Sequence, residues 1–322
     1  MRRREFIALA GASVAWPFTA IAQQAGRMYR VGLASPVECG APLTVLFTED
    51  LQPFGFVKGQ NFTIDCRKTG SDADVSSQYG ELVKDRVDAI VVYGAEARAA
   101  QTATRTIPIV VVTDDMLGAG LVTSLARPTG NMTGVSILAS ELDGKRQEIL
   151  IEAMPGLRRM AALADPNMIS DAKLNALQEA ARARNIELSI HRITKGDEIV
   201  AAIDTAHASR SEALNVLASP LLFAYRRIIM DRAAALRLPA IYEWAEMAEE
   251  EGGFAAYGPS LIGVFRDPYG RQAVQLLRGI KVADIPVQVP TKFELVINLK
   301  TAKAMGVTVP EGLLVRADKV IE

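Results

Sequence analysis

The chain has 322 residues, 49% of them hydrophobic, so it can bury large cores and is not of the disordered class. Its formal net charge is −1 at pH 7, and a near-neutral chain lacks the basic footprint that nucleic-acid binding requires. The length exceeds that of one typical domain, so we expect two lobes.

The N-terminal segment has the three parts of a secretory signal. Residues 2–4 are arginines, an apolar run follows, and residues 20–22 form an A-x-A cleavage site. The apolar run is broken by Trp16-Pro17 and is shorter than the roughly 20 residues of a membrane span. We therefore expect residues 1–22 to be a cleaved signal peptide and the mature protein to be periplasmic. Residues 3–6 also fit a twin-arginine signal, so that export route stays open.

Short apolar runs rich in β-branched residues alternate with helical stretches in the first half of the mature chain. Their length and composition favour strands over buried helices. Stretches rich in Ala, Leu, Glu and Arg predict helices at 76–86 and 96–104. The predicted strands are 29–35, 62–68, 89–95, 107–113 and 132–138.

The same alternation starts again after a break near residues 140–145. Helices are predicted at 170–185, where Ser170 is a candidate cap, and at 267–281. Because strand–helix alternation produces parallel sheets covered on both faces, the sequence predicts an α/β fold of two doubly wound parallel-sheet lobes. The predicted strands of this half are 158–166, 186–193, 212–220, 239–244 and 252–259.

Motifs for catalysis, metal binding or cofactor binding are missing. His191 and His207 are the two histidines, and neither stands near a cysteine cluster with metal-ligand spacing. Residues 118–120 begin a dinucleotide-type pattern, but Thr123 occupies the third glycine position. Gly144-Lys145 lacks the upstream glycine of a phosphate-binding loop. We expect no cofactor, no metal and no enzymatic activity.

Cys39 and Cys66 are the two cysteines of the chain. In an oxidising compartment they could form a disulfide. Their spacing fixes no distance between them, so a disulfide and two free buried thiols both remain open.

Polar or small residues stand where several predicted strands end, which is where α/β proteins bind ligands. The N–H groups at Gly94-Ala95 could hold an anion at a helix start, or Gly94 could simply permit a tight turn. Ser219 repeats this arrangement in the second half. Tyr242 and Glu243 end another strand, where a ring and a carboxylate could meet a solute, although Tyr242 could equally be a core residue.

Asp114 and Asp115 follow the strand that ends at Thr113. Adjacent residues of an extended strand point to opposite faces, so the two carboxylates cannot easily serve one reaction centre. A metal site would need more converging oxygen atoms than two neighbours supply. We expect one of the pair to face a cleft and accept a solute's ammonium or hydroxyl, while the other caps the following turn. Two purely structural carboxylates are the alternative.

Four segments of the chain carry a resemblance to a known family. They are LQPFGFVKGQNFTID (51–65), TIPIVVVTDDMLGAGLVTSLARPTGNMTGVSIL (106–138), GGFAAYGPS (252–260) and PTKFELVINLKTAKAMGVTVPEGLLVRADKVIE (290–322). These segments resemble the TrpX-like family of ABC-transporter substrate-binding proteins. The resemblance implies a type I periplasmic-binding-protein fold, in which two α/β lobes joined by crossing strands close on a small solute. It also implies delivery of that solute, an aromatic or branched amino acid or a related organic acid, to a membrane permease without chemistry.

The resemblance also implies how the chain divides. Lobe 1 is expected to hold residues 23–138, with 258–285 returning to it, and lobe 2 to hold 139–257 joined by 286–322. Gly134 and Gly258 are candidate hinge positions at the crossings. The candidate solute contacts are Ser35, Gly94, Ala95, Thr113, Asp114, Asp115, Ser219, Tyr242, Glu243 and Tyr257.

The sequence departs from the family pattern near these candidates. Asp115-Met116-Leu117 stands where the family commonly has Asp-Pro-Val, and Ala256 stands where it tends to have Ser. The identity of the solute therefore cannot be transferred from a relative. Two other classes remain as alternatives, an exported hydrolase or lyase that uses a cleft carboxylate, and the ligand-sensing domain of a signalling system.

We predict that the mature protein begins at Gln23, because residues 20–22 complete the cleavage site. The intact mass of protein isolated from the cell envelope should equal that of residues 23–322. A chain that keeps Met1 and occurs in the cytosol alone would contradict export.

Overall fold

The computed structural model describes residues 27–35, 39, 42–69 and 72–322. The predicted signal peptide, residues 1–22, lies outside these ranges. The described chain forms a five-stranded sheet and a seven-stranded sheet. We call the first sheet with its helices lobe 1 and the second sheet with its helices lobe 2. None of the helices in the described ranges is both long and apolar enough to span a membrane.

The strands are β1 (Tyr29–Ser35), β2 (Phe62–Lys68), β3 (Ala89–Tyr93), β4 (Ile109–Thr113), β5 (Met132–Ser136), β6 (Arg159–Ala164), β7 (Glu187–Arg192), β8 (Ala213–Val216), β9 (Ala240–Tyr242), β10 (Ala255–Gly258), β11 (Glu294–Asn298) and β12 (Lys319–Ile321). The α-helices are α1 (Pro42–Leu51), α2 (Asp72–Lys84), α3 (Ala97–Ala103), α4 (Asp143–Ala153), α5 (Asp171–Arg182), α6 (Ile199–Ala208), α7 (Pro220–Ala224), α8 (Arg226–Ala235), α9 (Ala245–Glu249), α10 (Leu261–Val264), α11 (Gly270–Leu277), α12 (Leu299–Met305) and α13 (Glu311–Leu314).

Lobe 1 is a parallel sheet in the order β2-β1-β3-β4-β5. Its two faces bury different sets of side chains, as expected where successive residues of a strand alternate. Val91 and Val110 pack with α1 and α11, whereas Ile90 and Val111 pack with α2 and α3. The sheet is therefore doubly wound.

Lobe 2 repeats this topology and extends it. Strands β7-β6-β8-β9-β10 are parallel and have the same order as lobe 1, and β11 and β12 continue the sheet beyond β10. Strand β11 pairs with β10 in antiparallel fashion. The reason is the path of the chain, since β10 runs toward lobe 1 and β11 enters the sheet on the return.

The ten strands expected from composition are all present, and β1 and β2 have the predicted bounds. The strand predicted to reach residue 220 ends at Val216, because Ser219 and Pro220 begin α7. Ser170 caps α5, accepting a hydrogen bond from the Lys173 amide, as predicted. The helix predicted at 267–281 is shorter than expected: α11 runs from Gly270 to Leu277 and follows a π-helical turn over Phe265–Tyr269 that contains Pro268.

Three segments connect the lobes, after Ser136, after Gly258 and before Glu294. The first and third run side by side. The Ser136 amide donates to the Gln288 carbonyl at 2.8 Å, and the Gln288 amide donates to the Gly134 carbonyl at 2.9 Å. The predicted lobe boundaries near residues 138, 257 and 285 remain a proposal, which these crossings support.

Gly134 and Gly258 lie where another backbone segment packs so closely that a side chain would not fit. A Cβ at Gly134 would collide with the backbone of Val111 on β4, and a Cβ at Gly258 would collide with the carbonyl of Glu243. Both residues thus allow two backbone segments to approach each other. Their role as hinges remains a prediction.

Cys39 and Cys66 form a disulfide, which decides the question that their spacing left open. Cys66 lies on β2, an edge strand of lobe 1, and Cys39 lies between β1 and α1. The bond therefore joins the chain beyond the carboxyl end of β1 to the sheet edge.

We predict that reducing this disulfide destabilises the protein by about 3–4 kcal/mol, because the bond closes the loop between Cys39 and Cys66 in the unfolded chain. The melting temperature should fall by several degrees in a thiol-free reductant. The double variant Cys39→Ala/Cys66→Ala should melt at the same lower temperature as the reduced wild-type protein, and the reductant should not change its melting temperature. An equal response of both proteins to the reductant would contradict the assignment.

Candidate functional site

The carboxyl ends of strands from both lobes meet across a cleft. Gly94 follows β3 of lobe 1, and Pro220 follows β8 of lobe 2. A Cβ built on Gly94 would stand 2.9 Å from Cγ of Pro220, so the backbone of Gly94 lies against the Pro220 ring. The two lobes thus touch each other at these strand ends in this structure.

Asp114 and Asp115 have the two different environments that were expected of an adjacent pair. Asp115 accepts hydrogen bonds from the amides of Leu117 and Gly118 at 3.1 and 2.8 Å, which caps the turn. Asp114 instead accepts from the Ser140 amide at 3.0 Å, at the start of lobe 2. Asp114 is therefore the member of the pair that faces the other lobe.

A buried ion pair stands next to Asp114 at the start of α4. Arg146 is fully buried, and its Nη2 donates to Asp143 Oδ1 at 2.5 Å and to the Ala139 carbonyl at 2.7 Å. Its Nη1 donates to the Tyr257 carbonyl at 3.1 Å. Asp143 Oδ1 also accepts from the Ala218 amide at 3.0 Å. The guanidinium therefore links the first crossing, α4 and the end of β10.

Glu243 completes a set of four charged groups, which we call the cleft cluster: Asp114, Asp143, Arg146 and Glu243. Glu243 is 8% exposed. Burial raises the pKa of its carboxyl to about 8; Arg146 opposes the shift, whereas Asp143 and Asp114 add to it. Burial likewise raises the pKa of Asp143. The cluster has three carboxyls and one guanidinium, and the neighbouring Lys173, which also interacts with Asp114 and Asp143, is paired with Glu141 at 2.8 Å. The carboxyls of the cluster therefore outnumber the cations available to them.

Two other strand-end candidates serve local structure. Ser219 is buried, donates to Asp165 Oδ2 at 2.8 Å and accepts from the amides that begin α7. Thr113 is buried at the end of β4, and its carbonyl accepts from the Ile137 amide. Both residues shape the cleft walls through these bonds.

The ring of Tyr242 does not face the cleft, contrary to the role considered for it. Tyr242 is 1% exposed and belongs to the hydrophobic core of lobe 2, with its ring packed against Gly253. Tyr257 is half-buried, and its ring packs near Phe293 at a centroid distance of 6.4 Å. The contribution of Tyr257 to the cluster is its carbonyl, which accepts from Arg146.

Gly94 and Ala95 form a single 3₁₀ turn, with Gly94 at φ +66°, before the seven-residue helix α3. Glu96 turns away from the cleft, since its carboxylate accepts from Tyr79 at 3.0 Å and Thr69 at 3.2 Å. Ser35 ends β1 at the same edge of the sheet. The side chains of Ser35 and Ala95 lie outside the described part of the structure.

Sequence reasoning missed Asp143, Arg146 and Tyr93. Arg146 precedes Ile149 and Leu150 by three and four residues, so a charged residue on the apolar face of a helix was the available signal. Tyr93 is half-buried beside Gly94, and its ring packs near Phe265 at 5.5 Å. It supplies the aromatic surface at a strand end that was expected from Tyr242.

A separate cavity of about 330 Å³ lies beside the crossings, lined in part by Pro259, Gln288 and Lys292. Its lysine is already paired with Glu294 at 2.5 Å. We assign no solute to it, because no residue of the cleft cluster lines it. Within the described ranges, no three His, Cys, Asp or Glu side chains are placed to hold a metal ion.

Two lobes of this topology make up the type I periplasmic-binding-protein fold. The charged groups of the site lie at the facing strand ends of the two lobes. The chain belongs to the ABC transporter substrate binding protein family, whose model matches residues 38–321. This is a family of solute-binding proteins of transporters and not an enzyme family. Its members bind a small molecule, work with a transporter and are typically exported.

Three similar proteins illustrate the relationship. A tyrosine-binding protein of Clostridioides difficile (strain R20291) is 27% identical over 267 residues, which cover 80% of this chain and 75% of that protein. The ABC domain from Streptococcus pneumonia in complex with L-Trp has a TM-score of 0.76 at 25% identity, covering 91% of this chain and 99% of that one. A periplasmic binding protein/LacI transcriptional regulator from Alkaliphilus metalliredigens QYMF, complexed with D-xylulofuranose, shares the fold alone. Its TM-score is 0.55 at 12% identity, covering 83% of this chain and 96% of that one.

The raised pKa of Glu243 predicts how stability depends on pH. The folded protein keeps this carboxyl protonated up to about pH 8, whereas the unfolded chain releases the proton near its ordinary pKa of 4.5. The contribution of Glu243 to the free energy of unfolding is therefore largest below pH 4.5. It falls by about 1.4 kcal/mol for each pH unit between about pH 5 and 8. Denaturant unfolding at several pH values measures it.

Glu243→Gln should flatten this dependence, because the amide does not titrate. Glu250→Gln, the same change at an exposed residue of lobe 2, should keep the wild-type slope. Parallel pH profiles for Glu243→Gln and the wild type would show that Glu243 does not carry the effect.

Proposed function

We propose that this protein binds a free amino acid with an aromatic or branched side chain, or a closely related organic acid, in the cleft. The observation that carries the proposal is the cleft cluster, which places Asp114 of lobe 1 beside Asp143, Arg146 and Glu243 of lobe 2. A surplus of buried carboxyls favours a solute that carries an ammonium group. Asp114 and Glu243 are the proposed partners of that ammonium.

The remaining parts of the solute have candidate partners as well. The backbone N–H groups at Gly94 and Ala95 are our candidates for its carboxylate. Tyr93 offers a half-buried ring beside them, backed by Phe265 and Tyr269 at centroid distances of 5.5 and 5.7 Å. Aromatic side chains pair favourably with one another, so this ring supports the proposal of an aromatic side chain in the solute. The tyrosine-binding relative and the L-Trp complex support the same choice.

We further propose that the mature protein is periplasmic and hands its solute unchanged to the membrane permease of an ABC importer. Family membership and the secretory signal support this assignment. Among the described residues, the Ser219 hydroxyl donates to the Asp165 carboxylate but also accepts from the amides that begin α7. These bonds give Ser219 a role in the local structure, so we propose no chemical step.

A screen of amino acids by thermal denaturation tests the proposal. A solute that binds the folded state stabilises it by about 2.7 kcal/mol at a hundredfold excess over its dissociation constant. This should raise the melting temperature by roughly 5–11 °C. L-Tyrosine, L-tryptophan and the branched amino acids should give the largest shifts and be recovered unchanged. If a compound were consumed at a rate proportional to the protein concentration, the protein would be an enzyme and the proposed role in transport would be wrong.

The two neighbouring aspartates supply a matched pair of variants. Asp114→Asn should weaken binding of the best amino acid about tenfold or more, since a charge-assisted hydrogen bond is worth roughly 1.5–3 kcal/mol. Asp115→Asn should bind normally, because Asn also caps a turn of this kind. Calorimetric titration of both variants measures the difference. Equal affinities of the two variants would show that Asp114 does not contact the solute.

A further inference from the structure

The contact between Gly94 and Pro220 joins the two lobes across the cleft at a position without a side chain. A Cβ on Gly94 would lie 2.9 Å from Cγ and 3.1 Å from Cβ of Pro220. Ordinary contacts between carbon atoms are about 3.5–4.0 Å. A methyl group at residue 94 therefore cannot fit between the lobes as they stand.

Neither side of the contact can easily move by itself. Gly94 directly follows Tyr93, whose ring packs against Phe265 and Tyr269. Pro220 directly follows Ser219, whose hydroxyl is held by Asp165 and by the first amides of α7. Extra volume at residue 94 would thus be relieved by separating the lobes.

We propose that Gly94 and Pro220 are the contact that stops lobe closure, and that the missing side chain at residue 94 sets how far the cleft closes. The inference rests on the proposed function, since closure on a solute is what the contact would serve. Asp114 and Glu243 lie on opposite lobes, so the depth of closure decides whether one ammonium reaches both. Gly94 and Pro220 are therefore positioning residues for the solute.

A crosslink tests the contact without knowledge of the solute. Disulfides need Cβ atoms about 3.5–4.5 Å apart, a separation that a slight opening of this contact provides. The variant Gly94→Cys/Pro220→Cys should form a bond between residues 94 and 220 under mild oxidation, detected by peptide mass mapping. L-Tyrosine or L-tryptophan should accelerate it. Gly120→Cys/Pro220→Cys is the control, because no atom of Pro220 lies within 4 Å of a Cβ at Gly120.

A substitution tests what the contact does. Gly94→Ala should bind L-tyrosine or L-tryptophan about tenfold or more weakly, because a shallower closure loses a charge-assisted hydrogen bond. Gly120→Ala controls for backbone strain, since Gly120 has a similar φ of +63° and a Cβ there would meet only Arg98, at 3.8 Å. Both variants should melt a few degrees lower without solute, and Gly120→Ala alone should keep its affinity. Adding Pro220→Gly to Gly94→Ala should restore most of the binding.

The outcomes separate this inference from the proposed function. Absence of the 94–220 crosslink, with and without amino acids, overturns the contact whatever the solute is. A crosslink that forms, together with an unchanged melting temperature of the wild-type protein in all of the amino acids, keeps the contact and rejects the solute class. Equal affinities of Gly94→Ala and Gly120→Ala, or a failure of Pro220→Gly to restore binding, overturn the positioning role.

Discussion

The structure depends on a guanidinium that has been removed from water. Arg146 has no exposed surface, and a buried charge of this kind is tolerated only where it is paired and hydrogen-bonded. Its partners are Asp143, the Ala139 carbonyl and the Tyr257 carbonyl. Ala139 belongs to the first crossing and Tyr257 to the strand that leads into the second. One side chain therefore holds together the two segments about which the lobes must move.

The third crossing is held to the first by different means. Gln272 of α11 donates to the carbonyls of Gly134 and Pro286 at 3.0 and 2.9 Å, and Thr133 donates to the Ile285 carbonyl at 2.7 Å. These bonds fix the third crossing against β5 within lobe 1. Glu246 of α9 adds a link at the second crossing, accepting from Ser260 and the Leu261 amide at 2.6 and 2.9 Å. Movement of one lobe is thus confined to a short stretch of each segment.

The same burial that holds Arg146 gives the cleft its chemistry. Asp143 pairs with the guanidinium, and Glu243 and Asp114 remain close to that pair; Lys173, which interacts with Asp114, is itself paired with Glu141. Burial raises the pKa of Glu243 to about 8, so this carboxyl is mostly protonated at neutral pH. A solute ammonium would supply the positive charge that a proton otherwise provides. The proposal of an amino acid as the solute rests on this charge balance of the cluster.

Sequence patterns were sufficient for the elements and for the class of fold. Short apolar runs predicted the ten parallel strands β1 to β10 but not β11 and β12, because strands buried in a parallel sheet have an apolar local composition. The alternation of strands and helices predicted double winding for the same reason. The split between Asp114 and Asp115 also followed from strand geometry, although it did not say which residue faced lobe 2.

Tertiary structure alone decided the face of Tyr242, the pairing of Cys39 with Cys66 and the reversal of β11. It also decided that Arg146 meets Tyr257, which is 111 residues away. Each of these depends on which distant segment packs against a given side chain, and local periodicity carries no information about that choice. The sequence by itself determined ten of the twelve strands in the described ranges and the alternation of strands with helices. Only packing between the lobes decided which side chains meet in the cleft, because the cleft is made of residues that are neighbours in space and not along the chain.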